Sequence, residues 1–241
     1  MTPAPQVAFI VPAWNEAACL PATLQALRDA CRAVGLDAEC VVVDDGSTDD
    51  TAVLAVAGGA RLLQVTHRQI AATRNAGAAA SLAPRLVFVD ADTRVDAALL
   101  RAAMDALASG AVGGGCRVRL DGPRRWPLRL GVWLVGQAFR YTGIAPGCFL
   151  FCTREAFDAV GGFDTTLFAG EDVAMSRALA RHGRFVILRE AVQTSGRKLA
   201  HASTWMQMRL LWRFARQGTR MLRSRDELAL WYGGPEGRAP R

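Results

Sequence analysis

Twice in this chain a short apolar run, rich in β-branched residues, ends in paired carboxylates. Val41-Val42-Val43 runs into Asp44-Asp45-Gly46-Ser47, and Leu86-Val87-Phe88-Val89 runs into Asp90-Ala91-Asp92. Such a run reads as a strand of a parallel sheet, buried on both faces, that delivers charge to the carboxyl edge of the sheet. Open α/β sheets bind ligands at that edge. Carboxylates gathered there repel one another unless a divalent cation or a ligand's hydrogen-bond donors sit among them. A third acidic group, Gly170-Glu171-Asp172, comes later in the chain. The sequence is therefore expected to hold a metal and a phosphorylated ligand.

The rest of the first half supports a sheet of this kind. Residues 7–11, 39–43, 61–66 and 86–89 read as strands. Residues 17–33, 69–82 and 96–108 read as helices, and Ser47, Thr48 and Asp49 offer N-caps for another that runs to Ala57. This alternation predicts an α/β fold with a mostly parallel central sheet and helices on both faces. After residue 110 the rhythm loosens. Strands are expected at 116–120, 148–152 and 185–188, helices at 126–141 and 171–182, and a turn at Asp121-Gly122-Pro123. The change of rhythm contains no flexible linker, so residues 1–232 read as one domain, with a frayed tail at 233–241.

At 241 residues and 51% apolar composition the chain can bury a substantial core. Its net charge of +7 is unevenly placed. Residues 1–194 carry 19 basic and 19 acidic side chains, and residues 195–241 carry 10 and 3. A basic tail on a neutral body suggests an anionic partner: a membrane surface, a nucleic acid or an acidic acceptor. The six cysteines form no CxxC pair and read as buried free thiols of a reducing compartment. Neither a signal peptide nor an apolar run near the ~20 residues of a membrane span is found. The expected location is the cytoplasm, soluble or peripheral on the inner face of the membrane.

No phosphate loop of the form G-x-x-x-x-G-K-[ST] occurs, and no G-x-G-x-x-G follows the first strand. Phosphate charge must then be met otherwise, and Asp90 with Asp92 is the candidate. Two carboxylates from one short turn can share a divalent ion, and oxygen-only ligands suit Mg²⁺ or Mn²⁺ on a diphosphate. The same pair could instead cap a helix start.

Taken in order, Pro12-Ala13-Trp14-Asn15-Glu16, Val43-Asp44-Asp45-Gly46-Ser47-Thr48-Asp49, Ala72-Thr73-Arg74-Asn75-Ala76-Gly77, Val89-Asp90-Ala91-Asp92, Gly161-Gly162-Phe163-Asp164 and Gly170-Glu171-Asp172 resemble family 2 glycosyltransferases of the GT-A fold. The resemblance spans about residues 7–195. It implies a nucleotide-sugar-binding half at about 7–110, an acceptor half at about 111–200, and metal-dependent sugar transfer with inversion. It places Pro12, Asn15 and Glu16 in the first nucleotide-contacting segment, and Asp44 and Asp45 at the donor's base or ribose. Arg74 and Asn75 fall on the helix that approaches the donor phosphates. Asp90 and Asp92 form the metal pair, with Asp92 the direct ligand. Asp172 stands as general base with Glu171 beside it. His201 matches a late histidine that completes the metal site in several such enzymes. The usual Gly-Lys-Gly-like stretch reads His67-Arg68-Gln69 here, which leaves the diphosphate contacts at that point open.

The chemistry fits on its own terms. Transfer with inversion needs a neutralised diphosphate leaving group and a base for the acceptor hydroxyl. Asp172 is also a carboxylate that any helix start would favour. The partners expected are a nucleotide-sugar donor and an acceptor (a glycan, a lipid-linked molecule or a small molecule), and no nucleic acid. Trp126, Trp133 and Tyr141 could stack on an acceptor or pack within the fold. Residues 203–225 combine an apolar stripe with arginines at 209, 213, 216, 220 and 223. That pattern suits a helix lying in a membrane interface, and equally one docked on its own protein. Two rivals stand beside this reading. One is a pyrophosphorylase-like nucleotidyltransferase, which would carry a Gly-rich basic loop where Pro12-Ala13-Trp14-Asn15-Glu16 stands. The other is a non-catalytic module that binds nucleotide-sugars, against which the retained Asp45, Asp92 and Asp172 argue.

Overall fold

The structure is a computed structural model that describes residues 5–121 and 143–195. The chain begins with β1 (Val7–Ala13), in which every residue is buried. Then follow α1 (Leu20–Val34), β2 (Ala38–Asp44), α2 (Thr51–Ala57), β3 (Arg61–Gln64), α3 (Ile70–Ala79), β4 (Arg85–Val89), β5 (Thr93–Arg94) and α4 (Ala97–Ala108). The second half adds β6 (Gly113–Asp121), β7 (Phe149–Thr153), α5 (Arg154–Ala159), α6 (Glu171–His182) and β8 (Phe185–Ser195).

Among the described residues all eight strands join one sheet, in the order β3-β2-β1-β4-β7-β6-β8-β5. The block β3-β2-β1-β4 is parallel throughout. β7 then runs antiparallel to both β4 and β6, β8 parallel to β6, and β5 antiparallel to β8. The mostly parallel sheet expected from the sequence is present, with its antiparallel pairs confined to the second half.

Alternation along the strands builds two cores. Phe9, Val11, Val87, Val89, Phe149 and Phe151 pack with Leu20, Leu24, Leu27, Leu99 and Leu100 on the face of α1 and α4. Ile10, Val41, Val43, Leu86, Phe88 and Leu150 pack with Ala71, Phe157, Phe163, Met175 and Leu179 on the face of α3, α5 and α6. Each fully buried large side chain of this kind contributes about 1.5–3 kcal/mol. The apolar runs seen in the sequence are strands covered on both sides, which is why they do not alternate in polarity.

The chain moves outward from β1 to β2 and β3, then returns to place β4 on the other side of β1. The reversal opens a crevice beyond the carboxyl ends of β1 and β4, the usual ligand position in such sheets. The loops after β1, β2 and β4 carry Asn15 and Glu16, Asp45, and Asp90 and Asp92 to that edge.

Three local expectations are corrected. α2 starts at Thr51, with Asp50 at its cap position and no side-chain cap bond. Of the three expected caps only Asp49 serves the helix, its Oδ1 accepting from the Thr51 N–H at 3.0 Å, while Ser47 and Thr48 bind Asn15 of the first loop. Neither Asp90 nor Asp92 caps α4; Asp96 does, accepting from the Leu99 N–H at 2.8 Å. β8 extends to Ser195, well past the expected end. The expected turn at Asp121-Gly122-Pro123, from residue 122 on, the helix at 126–141, Trp126, Trp133, Tyr141, His201 and the segment 203–225 lie outside the described residues. Among those described, no helix is long and apolar enough to cross a membrane.

Candidate active site

The first two loops are locked together before any ligand arrives. Asn15 takes a positive φ of 54°, a conformation asparagine tolerates. Its N–H donates to Ser47 Oγ at 2.9 Å, and its Oδ1 accepts from the Thr48 N–H at 2.8 Å. The Glu16 N–H donates to Thr51 Oγ1 at 2.9 Å. Pro12 and Glu16 are buried, as is Asp44, whose Oδ1 accepts from the Ser47 N–H at 3.1 Å.

Asp45 has a different environment from the other acids. Its buried carboxylate accepts from the N–H groups of Arg68 (2.8 Å) and Gln69 (3.1 Å) and from Thr73 Oγ1 (3.0 Å). Gln69 holds the cap position of α3 but makes no side-chain cap bond, so an aspartate from the neighbouring loop caps the helix instead. A carboxylate at a helix N-terminus gains from the dipole as well as from the bonds. Arg68 reaches this arrangement at a positive φ of 51°, and its guanidinium lies 4.9 Å from the centre of the Trp14 ring. The Trp14 Nε1 is buried without a hydrogen-bond partner. This is how the departure at His67-Arg68-Gln69 is accommodated: its main chain binds Asp45, and its arginine stacks on Trp14.

Asn75 faces the second half of the chain. Its side-chain amide donates to the Phe163 carbonyl at 2.9 Å, and its Oδ1 accepts from the Phe163 N–H at 2.9 Å. Gly162, at φ +74°, passes so close that a Cβ there would lie 2.8 Å from Asn75 Oδ1. Gln69 Nε2 adds bonds to the carbonyls of Thr165 (2.5 Å) and Leu167 (3.1 Å). Two side chains of the α3 segment thus fix the loop that leads into α6.

Arg74 is 2% exposed. Nη1 donates to Glu171 Oε1 at 2.9 Å, and Nη2 donates to Asp90 Oδ1 at 3.0 Å and to the Gly147 carbonyl at 2.8 Å. The Phe163 ring lies 5.2 Å away, and Nε has no partner. Burial disfavours the charge, but Asp90, Glu171 and Asp172 outweigh it and raise the arginine's pKa. Around this cation Glu171 is buried and Asp172 half-buried. Burial pushes both carboxyls above their usual range; Arg74 opposes the rise in each, and the acidic neighbours add to it. Asp172 Oδ1 accepts the Val173 N–H at 2.8 Å, and a Cβ on Gly147 would lie 3.0 Å from its Oδ2.

Asp92 lies beyond Asp90 at the start of β5. Its Oδ1 accepts from Thr194 Oγ1 at 3.2 Å, and its carbonyl accepts the Ser195 N–H at 3.1 Å. The Asp90 side chain is 32% exposed, so it can serve Arg74 and still face the crevice. Among the described residues, no group of three or more His, Cys, Asp or Glu side chains converges to hold a metal. Two carboxylates do fit Mg²⁺ or Mn²⁺, ions commonly held by one or two protein carboxylates with phosphates and water completing the shell. The cysteines take no part in this chemistry. All six are free, and burial pushes Cys31 up to about 11 and Cys40 and Cys116 up to about 12.

The structure therefore joins Arg74, Asp90 and Glu171, with Asp172 beside them. It groups Asn15, Asp44 and Asp45 with the first two loops and leaves Asp92 on the β5–β8 side. Gly147, Gln69 and Thr194 were missed by sequence reasoning. Each acts on a residue 73 or more positions away, so no local pattern marks it.

The model of the family described as Glycosyl transferase family 2 matches residues 8–168. An undecaprenyl-phosphate 4-deoxy-4-formamido-L-arabinose transferase of Pseudomonas paraeruginosa is 35% identical over 164 residues, 62% of this chain and 47% of that protein. An uncharacterized glycosyltransferase of Mycobacterium bovis is 35% identical over 91 residues, 38% of each. The chain spans half the length or less of these relatives. Among solved structures, the mannosyltransferase PcManGT from Pyrobaculum calidifontis, in complex with GDP-Man and Mn²⁺, matches with a TM-score of 0.68 at 22% identity. That match covers 99% of this chain and 67% of that one. S. aureus TarS 1-349 in complex with UDP-GlcNAc matches at 0.64 and 18% identity, over 94% and 78%. Identities this low speak for the fold alone, and that fold is GT-A.

Proposed function

This chain belongs to glycosyl transferase family 2, and on that premise we propose that it transfers a sugar from a nucleotide-sugar donor to an acceptor hydroxyl. The proposal includes inversion at the anomeric carbon and a divalent cation, Mg²⁺ or Mn²⁺, on Asp92 and Asp90. The observation that carries it is that Arg74 bridges Asp90, at the end of β4, and Glu171, at the start of α6, with Asp172 within electrostatic reach of both Arg74 and Asp90. That place offers Asp90 for the cation and Asp172 for the acceptor, and Asp92 adds the second cation ligand from the β5 side.

Asp172 takes the acceptor hydroxyl's proton as the new bond to the anomeric carbon forms and the bond to the diphosphate oxygen breaks. Its raised pKa makes it a stronger base than an exposed aspartate. The bound cation would neutralise charge on the leaving diphosphate. Asn15, Glu16 and Pro12, with Asp44 and Asp45, are the proposed nucleotide side. The PcManGT structure holds GDP-Man with Mn²⁺, which supports a metal-bound donor for this chain. Calorimetry with UDP and GDP, in Mn²⁺ or in EDTA, tests the reading. Mn²⁺ should tighten nucleoside-diphosphate binding, and Asp92→Ala should remove the gain. Equal affinity with and without the metal refutes the metal role.

A second reading concerns the acceptor and is favoured by the relative named for undecaprenyl phosphate. A phosphate oxygen is already ionised at neutral pH and needs no base. With such an acceptor Asp172→Asn should leave transfer nearly intact, whereas a hydroxyl acceptor requires the carboxylate.

A further inference from the structure

We propose that Arg74 is a positioning residue: an internal strut that sets Asp90, Gly147 and the first turn of α6 against one another, with no contact to the donor phosphates. The inference rests on the function proposed above for what it does to turnover, but not for what it does to the fold.

Three observations carry it. The guanidinium is 2% exposed, and its two Nη atoms are occupied by Glu171, Asp90 and the Gly147 carbonyl at 2.8–3.0 Å. Its Nε has no partner but is itself buried, so a phosphate could reach the guanidinium only by displacing these partners or by opening the cover over Nε. The three contacts come from three separate parts of the fold: the end of β4, the loop before β7 and the start of α6. Their separations from Arg74 of 16, 73 and 97 residues show that a single side chain ties both halves of the chain at the crevice. Finally, Gly147 accepts from Arg74 through its carbonyl and donates its backbone N–H to the Asp172 carboxylate, which lies so close that a Cβ on Gly147 would be 3.0 Å from Oδ2. A shift of Arg74 therefore reaches Asp172 by two routes, along α6 from Glu171 and through Gly147. A planar fork with fixed donor directions can hold three partners in this way, and a lysine ammonium on a flexible stem cannot.

The test uses the full chain and Arg74→Lys, which keeps the charge and loses the fork. Hydrogen exchange should accelerate at residues 145–149 and 170–176 and stay unchanged at 7–66. Unchanged exchange in those two segments overturns the proposal. Affinity for UDP or GDP with Mn²⁺ should stay within about threefold of wild type. The kcat for nucleoside-diphosphate release from the sugar donor should fall about 10²-fold, the scale expected of an ångström-sized misplacement. A tenfold loss of nucleotide affinity with kcat retained would put the guanidinium on the phosphates and also overturn it. Should Arg74→Lys fail to fold, Glu171→Gln removes one partner of the same strut and should give the same exchange pattern. A wild type that binds no nucleoside diphosphate defeats the proposed donor, and the exchange measurement still decides the strut.

Discussion

At the scale of single residues, Asp172 and Glu171 show how burial and charge divide labour. Both sit in the first turn of α6, where the dipole favours their ionised forms, and both are pushed the other way by burial. Glu171 has the guanidinium of Arg74 at 2.9 Å, whereas Asp172 has no ion-pair partner at that range among the described residues and accepts from the backbone N–H groups of Val173 and Gly147. Asp172 is thus the better placed to exchange a proton. For a hydroxyl acceptor, Asp172→Asn should keep fold and donor affinity while turnover falls by about 10²-fold or more. In the wild type, kcat/KM should decline on the acid side with a midpoint above the ordinary aspartate range, because the raised pKa must be exceeded before the base is free. A pH–rate profile measures both effects, and an acid limb at ordinary aspartate pH would remove Asp172 from the role. The stability of the metal-free protein carries the opposite sign. A carboxyl whose folded pKa is raised stabilises most below its unfolded pKa, and that contribution is lost as pH climbs through the folded value.

At the scale of elements, α3 organises the site because it lies almost against the sheet. Gly77 makes this approach possible: a Cβ there would fall onto Ile10 Cγ2 and lie 2.8 Å from Val43 Cγ2. Gly77→Ala therefore sets two effects against each other. Helix propensity favours alanine by about 1 kcal/mol, and forcing a methyl into a packed core costs about 1–3 kcal/mol. The contact is with β1 and β2, whose side chains have nowhere to go, so the variant should be less stable by about 1 kcal/mol or more in urea unfolding. Much of this architecture was legible in the sequence. The strands buried on both faces announced themselves as apolar runs ending in acid, and α6 lies where its pattern placed it. The start of β6 could not be read, because Gly113-Gly114-Gly115 has no strand propensity. Those glycines are there because β7, β8 and Ala145 leave no room for side chains: a Cβ on Gly113 would lie 2.7 Å from the Phe151 carbonyl oxygen. β5 was missed because its two residues exist as a strand only through pairing with Gln193 and Thr194. For the site, the order of motifs named candidate residues but not their partners. The resemblance proposes Asn75 and Asp45 for the donor side, and it gives no sign that each is hydrogen-bonded within the protein.

At the scale of the whole molecule, charge is divided between a balanced body and a basic end. The +7 excess falls entirely after residue 194, beyond the last described residues. If that segment meets a membrane, the full chain should co-sediment with anionic vesicles and be released as salt rises, since attraction to the surface is screened over ~8 Å at physiological ionic strength. Replacing Arg213, Arg216 and Arg220 by glutamine should weaken the association without unfolding the domain. A wild type that stays in the supernatant at low salt would favour a soluble acceptor. The borders of the sheet carry a separate consequence. Among the described residues it ends on one side with the four residues of β3 and on the other with the two of β5. Exposed Arg61 and Gln64 lie on the first and exposed Arg94 on the second. A long bare edge is a template on which another chain can add its own strand. The β3 rim is short and polar, but β5 covers only Gln193 and Thr194 of the eleven-residue β8, so among the described residues the stretch of β8 before them is the edge on which a crowded copy would add its strand.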